Sequence, residues 1–406
     1  MKLLPKYLPA FYCLICFPIF TQAQNGIKSS IWNVSNIYHT PAYKIISRDS
    51  AIGLIYKGLY YQGHQQNIFA YYASPATLYG KHVEYKKFPG IVLVHGGGGQ
   101  AFKHWAIMWA KKGYAAIAMD LRGNGPDKEH IDGGFVEENH ETPYFKITSK
   151  LDDQWMYQAV ADVILAHNLL LHFPEVDSSR TAITGISWGG VITCIVAGLD
   201  HRFKAAVPVY GCGYLWESGR MKQQLDQLSP GNKATWIKQY DPSNYVMNAT
   251  MPMLFLNDAQ DPYFVLKSYM NTNQEVKNKN LCIKIHLKHS HHAGWSNQEI
   301  YYFINHYING TPGLPLIGLS SERHEKIMAR IYSPVKIEKV FLHYTNDTSS
   351  GADRKWNTVE AMLKNKRIIS PLPPKGTTIW YLSLIDKRGL KVSGEVQFID
   401  QKHSLE

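Results

Sequence analysis

Ser187 stands in Gly185-Ile186-Ser187-Trp188-Gly189, after the apolar run Thr181-Ala-Ile-Thr184 and before a small-residue stretch opening at Gly190. A serine on a sharp strand-to-helix turn is held in strained backbone geometry with its hydroxyl outward. Glycines two residues before and after it remove side chains that would collide across the turn. The chemistry this suggests is nucleophilic attack on an acyl carbon, which a hydroxyl does poorly unless a base takes its proton and an acid orients the base. Two acids follow the apolar run Met253–Asn257, in Asp258-Ala-Gln-Asp261-Pro262. Asp261, four residues past that run, is better placed to reach across the top of a sheet, whereas Asp258 is suited to bonding its own turn. Asp261 is therefore the first candidate for the acid and Asp258 the second. Three histidines then share one loop after Cys282–Leu287: His289, His291 and His292. With no acid beside them they make a poor closed metal site, so neither a metal nor another cofactor is expected.

Acyl transfer also needs donors for a developing oxyanion. His95-Gly96-Gly97-Gly98-Gly99 follows the first strand of the repeating pattern described below, and its glycines let the backbone N–H of Gly97 or Gly98 approach a substrate oxygen, paired with the N–H of Trp188. One such donor is typically worth about 2.7–4 kcal/mol of transition-state stabilisation. The loop lacks the Gly-Lys-Ser/Thr of a phosphate-binding P-loop, and a dinucleotide register fails at Ala101. Tyr210, Trp216 and Trp295 fall in strand-end loops, where aromatic faces stack on sugar rings or wall a cavity. The stretch between Val209 and Met253 is too short for a large lid, which favours water-soluble substrates. No carboxylate pair suggests glycosidic cleavage.

These residues need a scaffold. Segments such as Ile52–Tyr56 and Asn67–Tyr71 read as antiparallel strands at a sheet edge. From Pro89 onward apolar strands alternate with helices, with strands expected at 90–94, 114–119, 180–184, 204–209, 253–257 and 282–287, and helices at 100–112, 151–172 and 191–199. That alternation specifies an α/β fold with a mostly parallel sheet covered on both faces, whose ligands gather at the carboxyl ends of the strands. After Thr311-Pro-Gly-Leu-Pro the character changes to short strands and polar turns, read as an all-β sandwich over 331–406 joined by a linker at 313–330.

Composition bounds the partners. The 406 residues are 45% hydrophobic and 18% charged, enough for a sizeable core. The formal charge of +11 is scattered with no long basic run, so nucleic acid is not an expected partner. Met1–Ala23 reads as a secretory signal peptide, with Lys2 and Lys6 before an apolar centre and Thr21-Gln-Ala23 at the cleavage site; 24–312 would then form the catalytic domain. No later segment approaches the apolar length of a membrane span. Cys194, Cys212 and Cys282 remain after cleavage, an odd set inside apolar runs that reads as buried free thiols. Nothing in the sequence fixes an oligomeric state.

Taken together, His95–Gly99, Ala115–Asp120, Gly185–Gly190, Val207–Gly213 and His289–Trp295 resemble secreted α/β-hydrolases of the acetyl xylan esterase and dienelactone hydrolase type, and among them bacterial members with a C-terminal immunoglobulin-like domain. The resemblance covers most of 50–310 and, more loosely, Arg354-Lys-Trp356 and Ile379–Leu382. It implies an α/β-hydrolase fold and hydrolysis of short acyl groups, O-acetyl foremost, from polysaccharide or oligosaccharide. It also implies a Ser187–Asp261–His289 triad: the separation from strand start usual in these enzymes puts His289 first as the base and His291 next. A peptidase of the prolyl-oligopeptidase kind, a dienelactone or carboxylic-ester hydrolase, and a non-catalytic glycan-binding protein are the alternatives.

Overall fold

The computed structural model describes residues 30–80, 87–136, 144–349 and 351–399. Met1–Ala23, expected to be a signal peptide, lies outside the described residues. Three antiparallel strands come first: β1 (Tyr43–Arg48), β2 (Ile52–Tyr61) and β3 (His64–Ala73), flanked by the short helices α1 (Val34–Ile37) and α2 (Pro75–Tyr79). The parallel strands follow as β4 (Phe88–Val94), β5 (Ala115–Met119), β6 (Val176–Ile186), β7 (Ala205–Val209), β8 (Met253–Asp258) and β9 (Lys279–Lys284). The side chains of β4, β5, β7 and β8 are almost wholly buried, as befits strands covered on both faces. The longer helices between them are α3 (Lys103–Ala110), α4 (Trp155–His172) and α5 (Trp188–Leu199), then α6 (Gly219–Leu225), α7 (Pro230–Tyr240), α8 (Leu266–Glu275), α9 (His291–Trp295) and α10 (Gln298–Asn309).

In space the strands run β1-β2-β3-β5-β4-β6-β7-β8-β9, with β4 between β5 and β6. Chain order therefore reverses at β4, and a crevice opens beyond its carboxyl end. The loops that leave β4, β6, β8 and β9 carry His95–Gly99, Ser187, Asp261 and His289 respectively, so one sheet edge gathers all the chemistry read from the sequence.

The region after α10 departs from the expected layout. Residues 313–330, expected as a linker, instead form β10 (Leu316–Arg323) and most of β11 (Lys326–Tyr332). They are followed by β12 (Ile337–Thr345), β13 (Asn357–Glu360), β14 (Met362–Lys364), β15 (Arg367–Pro371), β16 (Ile379–Asp386), β17 (Lys391–Ser393) and β18 (Gln397–Phe398). One antiparallel sheet has the order β10-β11-β15-β14, while β17-β16-β12-β13 continue the central sheet past β9 through the Ser393–Leu281 pairing. Between these two layers lies a second core that includes Ile327, Ile331, Leu342, Ile368, Trp380 and Leu384. Residues Ile31–Glu406 form one compact unit. Among the described residues, Cys194, Cys212 and Cys282 are buried free thiols. Among the described residues, no helix is long and apolar enough to cross a membrane.

Candidate active site

The nucleophile position is built by close packing. Ser187 has φ 59° and ψ −119°, outside the range comfortable for an L-residue, between the end of β6 and the first residue of α5. Its N–H donates to Val209 O at 2.8 Å, which fixes the turn to the neighbouring strand. A side chain at 185 would lie 2.1 Å from Gly189 O, and one at 189 would lie 2.1 Å from Val94 O, so both elbow glycines are sterically required. Trp188 begins α5, where a backbone N–H has no carbonyl one turn earlier to receive it.

The expected base lies within hydrogen-bond reach of both this serine and the expected acid. His289 Nε2 is 2.9 Å from Ser187 Oγ, and His289 Nδ1 is 2.6 Å from Asp261 Oδ2. Asp261 is buried, and its other oxygen, Oδ1, accepts the N–H groups of Tyr263 and Phe264 at 2.8 Å each. The carboxylate is thus fixed in place before it orients the imidazole. The ring of His289 stacks on Tyr210 at 4.5 Å between centroids, and Tyr263 packs against it at 4.9 Å.

The alternatives considered for these roles lie elsewhere. Asp258 ends β8, is buried, and makes no hydrogen bond to His289; its carboxyl accepts the backbone N–H groups of Leu287 and Gln260, while burial pushes it up to about 6. His291 begins α9, and its Nε2 accepts the N–H of Gly96 at 2.9 Å, so it braces the glycine loop and does not reach Ser187. Burial holds His291 down at about 4, which keeps the accepting nitrogen unprotonated near neutrality. His292 is exposed beside Trp295.

The glycine loop is stitched from several sides. Leu121 N–H donates to His95 Nε2 at 2.9 Å, which leaves the proton on Nδ1 to be donated to Gly96 O at 2.7 Å. A side chain at 96 would come within 2.6 Å of Ile186 O and 2.9 Å of Ser187 Cβ, so this loop packs tightly against the elbow. Of the two expected glycine donors, Gly98 donates its N–H to Tyr144 Oη at 3.2 Å; the N–H of Gly97 has no partner among the described residues. The Tyr144 ring stacks on Trp188 at 4.6 Å.

The expected pocket aromatics take different positions. Tyr210 is fully buried, with its hydroxyl donating to Lys288 O at 2.8 Å, and it serves as the platform under His289 in place of lining a pocket. Trp295 packs on Phe102 and Trp105, at 5.0 and 5.3 Å, behind the glycine loop. Trp216 is half-buried against Tyr214 at 5.2 Å and makes no ring contact with Ser187 or His289 partners. Tyr144 and Tyr263 escape sequence reading because neither belongs to a spaced motif; their places are set by tertiary packing alone.

Residues 28–261 match the family model described as acetyl xylan esterase (AXE1), more than half of the chain. The chain belongs to the acetyl xylan esterase family. The matched segment includes Ser187 and ends at Asp261. Two solved acetyl xylan esterases share the α/β-hydrolase fold with it. The enzyme from Paenibacillus sp. R4 superposes with a TM-score of 0.54 at 20% identity, over 68% of this chain and 92% of that one. Acetyl xylan esterase 1 from Thermoanaerobacterium sp. JW/SL YS485 gives 0.54 at 16% identity, over 67% and 92%. Among curated proteins, the acetyl esterase Axe7A of Xylanibacter ruminicola is 26% identical over 184 residues, 41% of this chain and 41% of that protein. The uncharacterized peptidase YuxL of Bacillus subtilis is 26% identical over 190 residues, 43% of this chain and 26% of that protein. The chain therefore spans less than half the length of either curated relative.

Proposed function

We propose that this acetyl xylan esterase family member is an exported serine esterase that removes short acyl groups, O-acetyl foremost, from polysaccharide or oligosaccharide. The observation that carries the reading is the unbroken hydrogen-bond chain Ser187 Oγ–His289–Asp261, at 2.9 and 2.6 Å. Ser187 Oγ attacks the acyl carbon as its proton passes to His289 Nε2, while Asp261 holds the Nδ1–H and stabilises the imidazolium. The N–H groups of Trp188 and Gly97 receive the oxyanion. Collapse of the tetrahedral species breaks the bond to the sugar oxygen, which leaves as an alcohol with the proton from His289. Water then attacks the acyl-enzyme with His289 again as base, releasing acetate and regenerating Ser187. The signal-like Met1–Ala23 supports export, which brings the enzyme to a polymeric substrate.

The test is labelling with a fluorophosphonate followed by acid release from a panel of acetylated glycans. The expected result is one adduct on Ser187, acetate released from acetylated xylan, and a loss of at least about a thousandfold in kcat for Ser187→Ala. Unchanged ester turnover in that variant overturns the reading. Cleavage of a dipeptidyl amide without acetate release would assign the site to peptide hydrolysis instead.

A further inference from the structure

A cavity of about 970 Å³ opens at one end of the C-terminal strands, between the close of β11, the turn into β12 and the β14–β15 hairpin. Its lining includes four cations, Arg330, Lys336, Lys366 and Arg367, together with Tyr332 and Leu363, and no lining residue is acidic. All four cations are exposed. Some charges elsewhere at the surface are paired, as Lys103 with Asp49, Arg180 with Asp177, and Lys222 with Asp226. Among the described residues the four cavity cations have no ion-pair partner.

The strand register makes this arrangement unfavourable for the fold alone. Arg330 on β11 is directly opposite Arg367 on β15, and Arg367 is directly opposite Lys364 on β14. Three like charges thus stand in one row across three paired strands, an arrangement that opposes sheet formation. The hairpin tip adds to it. Asn365 and Lys366 have φ of 50° and 58°, a two-residue turn whose second position is ordinarily glycine. A lysine is held there in a costly conformation, and the hairpin is tied to β11 by Ile331 N–H donating to Lys366 O at 2.8 Å.

We propose that this cavity binds uronate residues of an acylated polysaccharide, holding the polymer on the C-terminal strands while the esterase site acts on it. Guanidinium groups pair with carboxylates bidentately, and the exposed face of Tyr332 offers a stacking surface for a pyranose ring. The cavity has the volume typical of small-ligand sites, so it accommodates sugar units one or a few at a time. The choice of a uronate glycan over other polyanions rests on the esterase reading above; the preference for an anion rests on the row of cations and stands without it.

The test is equilibrium binding of the full chain to soluble oligogalacturonate and to neutral xylo-oligosaccharide, by titration calorimetry at low salt. The unsubstituted protein should bind the uronate oligomer and not the neutral one. The triple variant Arg330→Gln/Lys366→Gln/Arg367→Gln should bind at least about tenfold more weakly, while its turnover of a small acetyl ester is unchanged. Because the whole protein is basic, a control removes equal charge at exposed positions remote from the cavity, Lys44→Gln/Lys238→Gln/Lys277→Gln, and should bind as the parent does. Equal weakening in the control, or equal affinity for duplex DNA or for anionic lipid vesicles, overturns the proposal. Uronate binding that persists in a protein without esterase activity would refute the esterase reading and leave the anion site standing.

Discussion

Asp258 and Asp261 lie three positions apart, yet their surroundings set them to different tasks. Asp261 accepts two backbone N–H groups and faces His289, so it is fixed where it can orient the imidazole. Asp258 is buried with its Oδ1 unpartnered among the described residues, and burial pushes it up to about 6. A carboxyl raised in the folded state binds more protons there than in the unfolded chain. Its contribution to stability is therefore complete below its unfolded value near 4 and is lost as pH rises through about 6. Asp258→Asn should accordingly match the parent in stability near pH 4 and exceed it by about 3 kcal/mol above pH 7, read by chemical denaturation across that range. A difference that does not change with pH would show that Asp258 is not the group responsible. At this scale the chain order and the reach required beyond the strand pointed to Ser187 and Asp261, which the structure places together, whereas His289 was set ahead of His291 and His292 only by the family resemblance. The brace from His291 to Gly96 was not legible, because a second histidine in a loop looks the same whether it takes a proton or receives a hydrogen bond.

The elements follow the apolar runs closely where burial dominates and drift where pairing decides. β5 and β7 occupy nearly their expected spans, because five consecutive buried residues leave little choice. β9 was expected at 282–287 and lies at Lys279–Lys284, because its register is set by pairing with β8 from Met253 opposite Lys279, and the polar Lys279-Asn280 give no apolar signal. α5 starts three residues before the expected position, since its first turn is held by the elbow itself. The loop after β4 shows what such placement does. Its position depends on His95 and His291 on either side of Gly96, and it carries the N–H that an oxyanion would meet. His291→Ala should leave the Gly96 N–H without its acceptor and lower kcat about tenfold with little change in KM, since the loss falls on the transition state. His291→Gln, whose amide oxygen can accept the same N–H, should recover part of the rate. An unchanged kcat in the alanine variant would separate this loop from catalysis.

At the scale of the whole molecule, the C-terminal strands close the open edge of the α/β-hydrolase half. β9 carries the chain into the His289 loop, and without β17 it would be an edge strand with unpaired backbone groups, prone to pairing with other chains. Ser393 Oγ accepts the Ile283 N–H at 2.9 Å and donates to Ile283 O at 3.2 Å, and Lys391 N–H donates to Glu299 Oε1 at 2.9 Å. A second tie reaches the acid loop: Gln260 Nε2 donates to Ala352 O and Arg354 O at 3.2 and 2.7 Å, beside the residue that orients the base. The sequence marked the change of character after residue 311, but could not reveal that one of the later sheets extends the first, because that join is a pairing between strands more than a hundred residues apart. Ending the chain at residue 312 should therefore do more than remove an appendage. The shortened protein should be insoluble or aggregate on purification, and any soluble fraction should unfold at lower temperature and release acetate more slowly even from a small ester that no glycan site could bind. A truncated chain that is soluble, melts with the parent and turns over the small ester at the same rate would show that the two halves are independent, and that Gln260 and Ser393 do not support the site.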